Sequence, residues 1–155
     1  MKDPRFRQLA LQVVNYAVRV QPGEHVNLRM QDIPDAMVIE LIRAVREAGG
    51  HPHLDLSHAA ITAELQKNAT EEQFQMDGAY RLRRAEEMQV HICFYADYNS
   101  FESCDVPADK MTIVSKHFKP ASDVICNKRK WKILAWPTPS MAQAAGMNTE
   151  EFEDF

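Results

Sequence analysis

Seven consecutive residues, Val90 to Ala96 (VHICFYA), carry no charged side chain. A half-buried strand alternates apolar and polar residues. A continuous apolar run of this length fits a strand covered on both faces. Such strands belong to parallel sheets, whose crossover connections lay helices against the sheet. The run therefore constrains the rest of the chain: further strands must alternate with helices long enough to cross over.

The remaining sequence has that pattern. Asp3-Pro4 joins a capping residue to a proline at the first helical position, and Phe6, Leu9, Val13 and Ala17 follow at helical spacing. Gln21-Pro22-Gly23-Glu24 is a turn, and residues 26–30 alternate as a strand. Asp32 is expected to cap the next helix, whose stripe is Met37, Val38, Leu41, Ile42 and Val45 and whose stop is Gly49-Gly50. Residues 53–56 form a short second strand, with His51-Pro52 assigned to the turn before it. Residues 59–88 favour helix, and the capping box Thr70-Glu71-Glu72-Gln73 divides them near Asn68. A loop is expected over 97–107, a helix over 108–126 that Pro120 should break or kink, and a last strand over 130–136. This order predicts an α/β fold: a mostly parallel sheet flanked by helices, three-layered and Rossmann-like.

At 155 residues the chain is long enough for one domain with a real core. Its net charge of -4, with no basic stripe interleaved with aromatics, argues against nucleic acid as a partner. No apolar run approaches the roughly 20 residues that span a bilayer. Cys93, Cys104 and Cys126 are odd in number and widely spaced, which argues for a reducing compartment and a cytoplasmic location.

Few residues suggest chemistry. His51, His53 and Asp55 would share one strand face, so an H-x-H-x-D metal site is conceivable; the competing reading is a turn followed by a hydrogen-bonded strand residue. Asp97, Asn99, Glu102 and Asp105 follow the third strand, at the end where open α/β sheets bind ligands; the competing reading is a solvated loop. Cys93 reads as a small buried hydrophobe and Cys104 as a loop thiol without a neighbouring base. His25, His58, His91 and His117 read as isolated structural residues. Glycine-rich phosphate loops and a nucleophile elbow are absent.

The last stretch is more specific. WPTPSMAQAAGMNTEEFEDF, residues 136–155, resembles the segment closing the amino-terminal domain of the thermophilic aminopeptidase family, the M29 metallopeptidases that include aminopeptidases T and S. The residues that carry the likeness are Trp136, Pro137, Thr138, Ala142, Gln143, Ala145, Gly146 and Met147, then Glu150, Glu151, Phe152, Glu153, Asp154 and Phe155. Upstream, VNYAVRVQPGEHVNLR, AVREAGGHPHLDL and YADYNSFESCDV resemble the family's successive early segments in the right order, with Asn99 at a recurrent asparagine.

The resemblance implies residues 1–138 as the amino-terminal α/β domain and 139–155 as a connection toward a carboxy-terminal metal-binding domain. It also implies a parent enzyme that takes amino-terminal residues off peptides with two divalent ions, such as zinc or cobalt, held by that other domain. No catalytic, cofactor or metal role passes to a residue of this chain, so the chain alone is expected to be inactive. A weak homodimer through residues 136–155 is a further expectation, since Phe152 and Phe155 have little local partner surface. Two rival readings are a standalone module binding peptides or small molecules at its strand ends, and an independent hydrolase or redox protein using Cys104 or His51 and His53.

Overall fold

The computed structural model describes residues 3–154. Helix α1 (Pro4–Gln12) is capped by Asp3, whose side chain accepts from the Arg5 amide, and runs on into a π-helical turn over Val13–Ala17. There follow β1 (His25–Gln31), α2 (Asp35–Glu47), β2 (His51–Ser57), α3 (Ala59–Lys67), α4 (Glu71–Glu87), β3 (Val90–Ala96), α5 (Ala108–Lys128) and β4 (Lys130–Trp136). Two short helices, α6 (Pro139–Ala145) and α7 (Thr149–Asp154), end the described chain. The strands form one sheet in the order β2-β1-β3-β4, and every pairing is parallel. The expected three-layer α/β architecture is thus observed.

Strand register divides the sheet into two unlike faces. Val26, Leu28 and Met30 stand beside Val90, Ile92 and Phe94 in the ladder, and all are buried under α1, the π turn and α2. The α2 stripe Met37, Val38, Leu41 and Val45 completes that core, as its helical spacing predicts. Phe6 on α1 meets Trp136 edge to face, ring centroids 5.3 Å apart, and so extends the core to the end of β4. The opposite face carries Asn27, Arg29 and Gln31 on β1 and His91, Cys93 and Tyr95 on β3, beneath α4 and α5. β3 is covered on both sides only over its first half, since Tyr95 emerges into solvent.

Local expectations are corrected in three places. Asp32 does not cap α2, whose N-cap is Pro34 without a side-chain bond. Asp32 lies in the left-handed region (φ 54°), which turns its carboxylate to the start of α3, where it accepts from the Ala59 amide at 2.8 Å. His51 and Pro52 belong to β2 rather than to the preceding turn; β2 is an edge strand, where a missing proline N–H is tolerated. Helix α5 runs through Pro120. Pro120 and Lys116, the residue whose carbonyl loses its amide donor, are both exposed, so that carbonyl can be hydrated.

The packing of α4 against α5 depends on one glycine. A Cβ at Gly78 would lie 2.5 Å from the His117 carbonyl oxygen. The two backbones approach this closely only because position 78 has no side chain. Phe74, Gly78 and Ala85 are the buried residues of α4.

Candidate functional site

From β1 the chain moves outward to β2, then returns past β1 to lay down β3 on its other side. The carboxyl ends of β1 and β3 therefore border a topological switch point, where connections leave in opposite directions and open a crevice. A crevice of about 490 Å3 lies there, walled by Gln31 at the end of β1 and Asp32 beyond it, by Ala59, Thr62 and Ala63 of α3, and by residues 95–100, 102 and 103 at and beyond the end of β3.

Three of the four acidic or amide residues expected at this end, Asp97, Asn99 and Glu102, line the crevice, together with Asp32. Asp105 does not; it pairs with Lys67 at 2.6 Å, and that hydrogen bond holds its carboxyl below the usual aspartate range. Much of the loop chemistry is structural. Asn99 accepts from the Phe101 amide at 3.1 Å and donates to Glu102 at 2.9 Å, a side-chain-built turn. Asp97 accepts from Ser100 at 2.7 Å. Asp32, besides capping α3, pairs with His58 at 2.8 Å. Among the described residues no lysine or arginine lines the crevice, and its rim carries exposed Tyr98 and half-exposed Tyr95. The arrangement suits a cationic, partly apolar group.

Residues 138–146 are tied to the same end. Thr138 is buried (1% exposed), accepts from the Met141 amide as the cap of α6, and donates its hydroxyl proton to the Asp97 carbonyl. Gly146 closes α6 in the left-handed conformation (φ 70°). The family-like Pro-Thr-Pro and Ala-Gly-Met segments are thus cap and stop of one short helix anchored to the crevice loop. Phe152 on α7 is half-buried; Phe155 lies outside the described residues.

The histidines fall differently from the sequence reading. His25 is not isolated: its Nδ1 lies 2.8 Å from Nε2 of His53, and its ring centroid is 5.1 Å from that of His51. Burial, followed by the His25 charge, pushes His53 below the ordinary imidazole range. Asp55 does not join them. A strand rises about 3.3 Å per residue, so position 55 is too far along β2 to share an ion with position 51. Its carboxylate lies 3.7 Å from Arg84 instead. Among the described residues no group of three or more His, Cys, Asp or Glu could hold a metal ion. Nor are the others isolated: His117 contacts Glu71 at 3.2 Å and His91 contacts Asn27 at 3.4 Å. Cys93 is half-buried, and burial raises its thiol pKa, whereas Cys104 and Cys126 are exposed and free. Sequence reasoning missed the His25 contact because it depends on the pairing of β1 with β2; the pattern of either strand alone does not reveal it.

The family model for thermophilic metalloproteases (M29) matches residues 2–155, nearly the whole chain. The chain belongs to the M29 family. Among solved structures it resembles wild-type AmpT from Thermus thermophilus, with a TM-score of 0.72 and 16% identity over 97% of this chain. The M29 chain spans 41% of the length of AmpT. A LacI-family transcription-regulation repressor from Corynebacterium glutamicum aligns over 84% of this chain and 59% of its own, at 9% identity and a TM-score of only 0.36. No curated protein sequence matches. No described helix is long and apolar enough to cross a membrane.

Proposed function

We propose that this M29 chain is the non-catalytic amino-terminal domain of a cytoplasmic, metal-dependent aminopeptidase that removes amino-terminal residues from peptides. Residues 1–138 are the domain proper, and 139–155 lead toward a carboxy-terminal domain that holds two divalent ions. The observation that carries the reading is the extent of the match: the M29 model covers residues 2–155, while the same chain spans 41% of AmpT. The donor set for a two-metal centre is not assembled among the described residues, so no step of hydrolysis is assigned to them.

The role left to this half is to wall the substrate cleft. The switch-point crevice, lined by Asp32, Asp97 and Glu102 with no lysine or arginine among the described residues, supplies a negative field for a peptide's protonated amino end. The anchoring of α6 to the Asp97 carbonyl joins the connecting segment to that crevice. Free cysteines fit a reducing cytoplasm.

The test is turnover of leucyl and arginyl chromogenic amides by the purified 155-residue chain with added cobalt or zinc. No metal-dependent turnover is expected. Turnover that survives purification and disappears in a His51→Ala/His53→Ala variant would overturn the proposal. Sequencing of the gene beyond the codon for Phe155 separates the rival module reading: an open frame with spaced Glu and His residues supports a catalytic half, and an immediate stop supports a standalone module.

A further inference from the structure

The second face of the sheet has a polar interior that the aminopeptidase reading does not use. On α4, positions 74, 78, 81 and 85 recur at helical spacing and form one stripe. Three of them are the buried Phe74, Gly78 and Ala85; the fourth is Arg81. An arginine thus stands where an apolar residue would complete the packing. Its guanidinium lies 4.3 Å from the ring centroid of Phe118 on α5. Below it, between these two helices and the sheet, is a cavity of about 160 Å3. At roughly 30 Å3 per water, that is room for several waters or one small ion.

The cavity's polar lining is one-sided. Exposed Arg29 from β1 and half-buried Arg81 and Arg84 from α4 line it, and among the described residues Asp55 supplies its one carboxylate. Arg84 faces that carboxylate at 3.7 Å. Among the described residues, Arg29 and Arg81 have neither an ion-pair partner nor a side-chain hydrogen bond. Burial, then the charge of Arg29, pulls Arg81 below the usual guanidinium range, while Asp55 and Asp77 act the other way. A guanidinium does not respond by losing its proton. It keeps its charge at a position only partly open to water.

The floor adds another donor. Arg84 Nη1 reaches the Asn27 side-chain oxygen at 3.4 Å, and the Asn27 amide nitrogen is 3.4 Å from Nδ1 of His91. With its oxygen held by Arg84, Asn27 donates to Nδ1, which leaves the proton of neutral His91 on Nε2. Burial favours that neutral form, pushing His91 below the ordinary imidazole range; nearby carbonyls of Met88 and Ala85 oppose it in part. His91 is 6% exposed, and its Nε2 has no hydrogen-bond partner among the described residues. Arg29 and Arg81 therefore offer donors without an acceptor among the described residues, while Arg84 is already engaged by Asp55 and Asn27.

We propose that this cavity binds a small oxyanion, a phosphate or carboxylate group, gripped by Arg29 and Arg81 over a floor of Asn27 and His91. An oxyanion is all acceptor, and its oxygens match guanidinium forks. The site lies under α4 and α5 and does not depend on the peptidase reading.

The experiment titrates the 155-residue chain with inorganic phosphate, and separately with acetate, at pH 7.5 and constant ionic strength. Melting temperature and the imidazole nitrogen signal of His91 are followed. A ligand of the native state raises Tm with concentration. One lost charge-assisted contact weakens binding by about tenfold or more. Phosphate should raise Tm and move the His91 signal, and Arg81→Met and Arg29→Met should each lose that affinity. Without anion, Arg81→Met should melt no lower than the wild type, because a half-buried charge without an ion-pair partner is replaced by an apolar side chain that can keep the contact with Phe118. Arg43→Met, on α2 beneath the other face and paired with Glu40 at 2.5 Å, should bind as the wild type does. A response to acetate alone that both variants lose assigns the site to carboxylates. If neither anion acts beyond chloride, or both variants respond like the wild type, the proposal is wrong; should Arg81→Met fail to fold, Arg29→Met decides.

Discussion

Replacing Gly78 by alanine tests the close approach of α4 to α5. The added Cβ would stand 2.5 Å from the His117 carbonyl oxygen and 3.1 Å from the carbonyl carbon. Neither is the end of a flexible side chain that could swing away. Relief requires the two helices to part by several tenths of an ångström, or α5 to bend. Parting them loosens the contacts of Phe74, which is 3% exposed, and of Ala121, which is 5% exposed. A gap of 0.5–1 Å forfeits roughly a quarter to a half of each dispersion contact. Overpacking in cores costs about 1–3 kcal/mol, with backbone collisions at the upper end. Alanine returns about 1 kcal/mol of helix propensity. The net expectation is a loss of about 2 kcal/mol. For a domain of this size that lowers Tm by roughly 4–8 °C.

The assay is urea unfolding followed by far-UV circular dichroism, with Gln75→Ala, an exposed position on the same helix, as the control. The control should stay within about 0.5 kcal/mol of wild type. An unchanged slope with a lower midpoint in Gly78→Ala would locate the effect in the native state. If Gly78→Ala is as stable as the wild type or more so, the helices are not held at the glycine and the packing argument fails.

Thr138→Val removes both the cap of α6 and the hydroxyl that donates to the Asp97 carbonyl while keeping the shape; a loss of about 1–2 kcal/mol in urea unfolding is expected, with faster amide exchange over residues 139–146. Acidification should weaken the fold before any carboxylate titrates. His53 and His91 have folded pKa values below the unfolded value, so their contribution is complete above about pH 6.5 and is lost as pH falls from there through the depressed folded values. Melting temperatures between pH 7.5 and 5.5 should fall less steeply in His91→Gln, and parallel slopes would refute the assignment. Phe152 is half-buried on α7, so weak dimerisation through residues 136–155 should appear in sedimentation at high concentration and vanish in Phe152→Ser; equal dimerisation of both would exclude that surface.

The sequence was most informative where one periodicity had one physical cause. The α2 stripe and the alternation of residues 26–30 each specify a buried face, and both faces meet in one core. The VHICFYA run announced a central strand. It did not announce that half of its second face opens to solvent, because apolar residues do not report what leaves them uncovered. Asp32 was misassigned for a related reason: a capping residue is legible, but the helix it caps depends on a left-handed turn and on β2 lying alongside β1. The crevice was legible in part through the rule for strand ends, which put Asp97, Asn99 and Glu102 in view, and Asp105 left the set once Lys67 was in reach. The polar layer was illegible throughout. Asn27, Arg29, Arg81 and His91 come from three separate elements, and each alone reads as a solvated side chain. Only the parallel register, with Asn27 beside both His53 and His91, and the closeness that Gly78 permits turn them into one surface, buried at Asn27 and His91 and open to solvent at Arg29. That surface departs from the fold's own packing rule, since it puts a cation, Arg81, where the helix stripe calls for an apolar side chain. Departures of this kind concentrate where a protein meets a ligand, and this one lies on the face opposite the apolar core.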